Sequence, residues 1–139
     1  MPHLQFEVSS ELPAETKREF AAWVTDRYAA DMDTTTGHVA VTIREFERAA
    51  LALGRVERNE PVAVVNADVR GGRSADQRRA FAEQVISGLE SRFSIPESNA
   101  YVVYTEHPGE DFHLAEGPLE SWGPSDDPET GDPADDPDA

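Results

Sequence analysis

The sequence contains no cysteine, two methionines and, among its twelve basic residues, the single lysine Lys17. Lack of cysteine excludes a disulfide framework, a thiol nucleophile and a zinc-thiolate site, so the fold is held by packing alone. No apolar run approaches the roughly 20 residues that span a bilayer, and the opening MPHLQFEV lacks the basic start and apolar stretch of a secretory signal. A cytoplasmic chain that does not engage membranes is the expectation.

What the sequence has in excess is acid: 28 Asp and Glu against 12 Lys and Arg, a formal charge of -16 over 139 residues. Nucleic-acid binding needs clustered cations for phosphates, so this balance argues against it. Short carboxylates with almost no lysine keep a surface hydrated when salt screens repulsion, a pattern that suggests a halophilic protein. The stretch from Gly123 to Ala139 holds seven acids, no base and no large apolar side chain. It cannot offset its ordering entropy and is expected to be a disordered acidic tail, 123–139, following one domain over 1–122.

Inside that domain two β-α-β patterns follow one another. The first reads as a strand at Pro2 to Val8, a helix from about Pro13 to Ala30 and a strand at Val39 to Phe46. The second reads as a strand at Val62 to Val69, a helix from Ser74 to Phe93 and a strand at Tyr101 to Glu106. Pro13 suits a first helical turn, and Ser74 with Gln77 three positions on spells a capping box. A shift of 61 positions lays Lys17 on Arg78, Phe20 on Phe81, Val24 on Val85 and Glu45 on Glu106. Stripes Phe20, Val24, Tyr28 and Phe81, Val85, Leu89 therefore belong to duplicated helices.

The fold class is then α/β (α+β), with tandem β-α-β units forming one mixed sheet and both helices on one face. Apart from a short Ala49 to Leu53 stretch, no element is available to cover the second face. An uncovered apolar sheet face predicts self-association.

Arg70, Gly71, Gly72 and Arg73 lie between the third strand and the Ser74 cap. Two guanidinium forks beside a helix N-terminus make a receptor for a carboxylate, although a solvated turn reads the same way in isolation. Removal of Met1 is expected before so small a second residue, which leaves Pro2 as a secondary amine at the start of a central strand. Burial and nearby cations favour the neutral form of such an amine. His3, His38, His107 and His113 have no ligand-spaced partners and read as surface or strand-end residues, so no metal is expected. Trp23, Phe6, Tyr104 and Trp122 read as packing aromatics, and Glu45 and Glu106 as equivalent structural contacts at strand ends.

MPHLQFEV, GGRSADQRRAFAEQV, YVVYTEHPGEDFHLAEG and the 61-residue duplication together resemble the tautomerase superfamily, in its fused two-unit form. The likeness spans Pro2 to Trp122 and is strongest from Asp68 to Gly117. It implies the tautomerase/MIF-like fold, a homotrimer, no cofactor, and an amino-terminal proline acting as general base and acid on small carboxylates. Carried over by residue, it makes Pro2 the catalytic amine and Arg73 the substrate-binding arginine. Arg70 becomes the additional carboxylate-binding arginine of the cis-3-chloroacrylate dehalogenase group, and Phe112 the aromatic lining the pocket.

The resemblance departs at specific positions. Tyr101 stands where the short 4-oxalocrotonate tautomerases have an arginine that polarises the keto group. Leu114 stands where the dehalogenases have a water-activating glutamate, with Glu110, His113 and Glu116 nearby, and Tyr28 replaces their helix histidine. The decarboxylating relatives need an aspartate where this chain reads Gly37-His38, with Asp33 several residues early. A keto-enol tautomerase acting on a small 2-keto or enol carboxylate is the leading expectation, with Pro2, Arg70 and Arg73 catalytic and Arg70, Arg73, Phe112 and Tyr101 binding substrate. The alternatives are a β-keto acid decarboxylase, a hydratase or dehalogenase of an unsaturated acid, and a non-catalytic trimer that binds small acids.

Overall fold

A computed structural model describes residues 2–120. Met1, Trp122 and the tail expected over 123–139 lie outside the described residues. Strand β1 spans Pro2–Val8, helix α1 Ala14–Met32, β2 Ala40–Glu45, β3 Ala63–Arg70, α2 Ala75–Phe93 and β4 Ala100–His107. A small hairpin, β5 at His113–Leu114 and β6 at Gly117–Pro118, follows. Each main element falls where the periodicity puts it, within one or two residues at its ends.

Local chemistry explains the boundaries. Pro13 sits just before α1 with extended backbone, and Lys17 N donates to its carbonyl at 3.1 Å. At α2, Ser74 Oγ accepts from Gln77 N at 3.1 Å while Ser74 N donates to Gln77 Oε1 at 2.9 Å, completing the predicted capping box.

The main sheet has the order β2-β1-β3-β4, with β1/β2 and β3/β4 parallel and the central β1/β3 pair antiparallel. That arrangement is two β-α-β units related by a pseudo-twofold axis between β1 and β3. The 61-residue offset persists in detail. Phe20, Val24, Tyr28 and Met32 are buried along α1, and Phe81, Val85, Leu89 and Phe93 occupy the equivalent buried positions of α2. Lys17 pairs with Glu45, and Arg78 pairs with Glu106.

The core lies between the helices and one sheet face, where Leu4, Phe6, Val8, Val65, Ala67 and Val69 meet both stripes. Phe6 and Phe20 meet edge to face at 5.0 Å. Trp23 packs against this core, as expected, and its ring takes the space a side chain at position 88 would need: a Cβ on Gly88 would lie 2.3 Å from Trp23 Cη2. Arg92 lies over the Trp23 ring at 4.7 Å.

The other sheet face corrects an expectation. It is mostly polar, not apolar: Gln5 Nε2 donates to Asp68 Oδ2 at 2.6 Å, His107 Nε2 lies 2.9 Å from Asp68 Oδ1, and His3 Nε2 lies 2.7 Å from Thr42 Oγ1. Asn66 and Thr105 extend the same network. Within it, Tyr101 and Val103 are the exposed large apolar side chains of β4. The expected short helix in the linker is a single 3-10 turn, Arg48–Ala50, whose Arg48 Nε donates to Ser9 O at 2.8 Å. Burial of a large apolar face therefore does not by itself demand a partner for this sheet.

Candidate active site

Pro2 begins β1 and stands opposite Val69 in the antiparallel ladder, one residue before Arg70. β4 runs parallel to β3 and brings His107 beside Arg70, so the start of β1 and the ends of β3 and β4 meet at one edge of the sheet. The turn after β3 is held there by Gly71 N, which donates to His107 O at 2.8 Å. Gly72 then takes a φ of 119°, a backbone conformation that side chains disfavour, and delivers Arg73 to the α2 N-terminus. Gly72 thus lets a strand turn into a helix within four residues.

Pro2, Arg70 and Arg73 are all buried, the arginines only 1% and 6% exposed. Buried guanidinium groups persist only where hydrogen bonds or opposite charge offset their desolvation, and neither one here lacks a partner. Phe112 follows the turn Gly109–Asp111, and its ring meets His107 edge to face at 5.5 Å. It therefore belongs to the same edge as Pro2 and Arg70. Glu106 is committed to the ion pair with Arg78, the structural role expected for it.

Tyr101 is not part of this group within the chain. It pairs with Val64, six residues along β3 from Arg70, which at strand spacing is about 20 Å away. Glu110, His113 and Glu116 are exposed, and Leu114 lies in the small hairpin. Among the described residues no three His, Asp or Glu side chains gather as a metal site, and no helix is long and apolar enough to cross a membrane.

One residue at the site was read from sequence mainly as core. Tyr28 of α1 is fully buried, its ring edge-on to Phe81 at 5.2 Å, and its phenol lies within electrostatic reach of both Arg73 and Arg70. Burial pushes that phenol up to about 12, against the opposing pull of the two arginines. The available signals were a tyrosine within an otherwise apolar helical stripe and its match, by resemblance, to the helix histidine of the dehalogenases.

No protein-family model matches this chain, and no curated protein is similar to it at the sequence level. Solved structures are similar in fold. The structure of Pt0534 inactivated by 2-oxo-3-pentynoate superposes with a TM-score of 0.75 at 20% identity, covering 84% of this chain and 94% of that one. The symmetric trimer of Q0, a fused 4-OT, gives 0.75 at 17% identity over the same shares of the two chains. N1, a member of the cis-3-chloroacrylic acid dehalogenase family, gives 0.72 at 23% identity with 84% of each chain covered. The duplicated β-α-β architecture of this chain is the fold of those fused 4-OT and dehalogenase-family structures.

Proposed function

We infer that the chain is a tautomerase-superfamily enzyme that interconverts keto and enol forms of a small 2-keto carboxylate without a cofactor, using Pro2 as general base and acid. One juxtaposition carries the reading: Pro2 opposite Val69 puts the amino end beside the buried Arg70, at the same edge as Arg73 and Phe112. Fold likeness to fused 4-OT structures supports it.

Once Met1 is removed, the Pro2 nitrogen is a secondary amine with no flexible side chain to order. Burial and two guanidinium charges favour its neutral form, which accepts a proton from the enol hydroxyl or from the carbon next to the ketone. The resulting ammonium returns the proton at the other position. Arg70 and Arg73 hold the substrate carboxylate, and Phe112 keeps water from the amine. Tyr101 reaches such a pocket only from another copy of the chain, which is consistent with a homotrimer like those of Q0 and other fused 4-OT proteins.

The test is ultraviolet absorbance of phenylenolpyruvate and 2-hydroxymuconate as each converts to its keto form, with the mass of the purified protein recorded. Turnover by protein lacking Met1 supports the reading, and sedimentation as three subunits supports the assembly. Release of carbon dioxide from a β-keto acid, or of halide from a haloacrylate, without enol turnover moves the chemistry to decarboxylation or hydration. A folded, processed protein that turns over none of these is a binding scaffold. The reagent 2-oxo-3-pentynoate gives an independent check. A neutral amine adds to its alkyne, forming an N–C bond while the proton passes to carbon, so the Pro2 peptide should gain the full mass of the reagent.

A further inference from the structure

We propose that His107, held by Asp68, is a positioning residue that keeps the Phe112 ring at the edge of the sheet where Pro2, Arg70 and Arg73 meet. The inference rests on the proposed function in taking that ring as a wall of the substrate pocket. Asp68 Oδ2 accepts from Gln5 Nε2 at 2.6 Å and from Asn66 Nδ2 at 3.3 Å, and its Oδ1 lies 2.9 Å from His107 Nε2. A carboxylate only accepts, so Nε2 is the ring nitrogen that carries the proton. Oriented in this way, the His107 ring meets the Phe112 ring edge to face with centroids 5.5 Å apart.

The backbone explains why the ring needs such a hold. β4 ends at His107, and the chain leaves the sheet through Pro108 and the turn Gly109–Asp111. Phe112 N donates to Gly109 O at 3.0 Å and Leu119 N donates to Phe112 O at 3.1 Å, so the main chain is secured on both sides of this residue. Neither bond fixes a side-chain torsion, and the half-buried ring takes the rotamer that its neighbours select. His107 is anchored in turn by its own carbonyl, which accepts from Gly71 N in the turn that delivers Arg73. It therefore ties the arginine turn to the Phe112 ring, with Asp68 setting the plane of the imidazole between them. A displaced ring would admit water to the Pro2 amine while leaving the carboxylate held by the arginines.

The test separates the position of the ring from turnover. Fluorophenylalanine placed at position 112 alone reports the ring by fluorine NMR without substrate, in wild type, Asp68→Ala, Asp68→Asn and His107→Leu. Phenylenolpyruvate turnover and thermal unfolding are measured for the same variants without the label, and for Phe112→Ala and the double variant His107→Leu/Phe112→Ala. Asparagine at position 68 keeps a side-chain oxygen that accepts a hydrogen bond, and leucine at position 107 keeps apolar bulk while removing the imidazole.

Asp68→Ala and His107→Leu should each shift or broaden the fluorine signal, and each should lower kcat by about 10-fold or more with KM within about twofold of wild type, the pattern for a misplaced group that does not hold the substrate. Asp68→Asn should keep the wild-type signal and most of kcat. The double variant should lose no more than Phe112→Ala alone, because His107 acts through that ring. A signal disturbed in Asp68→Ala and kept in Asp68→Asn, in a protein without enol turnover, would leave the positioning standing while defeating the tautomerase reading. An unchanged signal in both Asp68→Ala and His107→Leu would overturn the inference even with turnover intact. Losses of His107→Leu and Phe112→Ala that add in the double variant would overturn it as well. A lowered unfolding temperature in Asp68→Ala with unchanged kcat would make the pair structural and overturn it likewise.

Discussion

Asp33 and Ser94, 61 positions apart, each end a 19-residue helix in the left-handed conformation, with φ of 54° and 57°. The duplication thus extends to the backbone geometry of helix termination. Side chains with a Cβ are strained in this region and glycine is not, at a cost of about 1 kcal/mol. Ser94→Gly should raise the unfolding temperature by about 3 to 6 °C, and Asp33→Gly by less, because aspartate tolerates the conformation better. Thermal denaturation followed by circular dichroism checks the order as well as the sign.

Gly88 and Trp23 set how closely the two helices pack. A methyl group at position 88 would overlap the indole, so Gly88→Ala should destabilise the fold by about 1 to 3 kcal/mol. Trp23→Leu combined with Gly88→Ala should recover part of that loss. Additive losses in urea unfolding would mean that the two positions do not compete for one space.

For the site, Arg73→Ala should lower kcat/KM for phenylenolpyruvate by about 10-fold to 150-fold, the range for losing a charge-assisted contact, and Arg70→Ala by a similar factor. Pro2→Ala keeps a terminal amine but a more flexible, primary one, and should retain part of the activity. A form that keeps Met1 has an amide at Pro2 in place of the amine and should lose nearly all of it. Full turnover by the Met1-retaining form would defeat the proline mechanism.

Alkaline stability should report on the buried tyrosines. Burial raises Tyr28 to about 12 and raises Tyr104 as well, while tyrosines of the unfolded chain titrate near 10. The native state therefore holds these protons more tightly, so their contribution is complete below pH 10 and is lost as the pH rises toward 12. Tyr28 alone should cost on the order of 1 kcal/mol by pH 11. Tyr28→Phe should show a correspondingly shallower fall in stability between pH 9 and pH 11 when unfolded by urea.

Removing the tail's seven acids leaves 21 acids against 12 bases over residues 1–122. Mutual repulsion of these charges opposes the compact state at low salt and is screened at high salt. The unfolding temperature should rise from low to molar KCl. A constant or falling midpoint would remove the halophilic reading.

Much of the fold was legible because its causes are local. The stripes at Phe20, Val24 and Tyr28 and at Phe81, Val85 and Leu89 express the helical repeat, and the capping box at Ser74 and Gln77 is contained within four residues. Lys17 with Glu45 and Arg78 with Glu106 could be matched in advance because one offset relates both pairs.

The face opposite the helices was different. Alternation marks His3, Gln5 and Asp68 as polar positions within their own strands, but their union into one network depends on the register between β1 and β3, 63 residues apart at the Gln5–Asp68 bond. The same long-range pairing decided the site. Parallel β3 and β4 send Tyr101 to the far end of the sheet from Arg70, while antiparallel β1 returns Pro2 to the near end. Sequence alone placed Tyr28 on the buried stripe of its helix. Only tertiary packing decided that its hydroxyl would lie among arginines 42 and 45 positions further along the chain, because periodicity states which side of a helix is buried and not what the other elements bring to meet it.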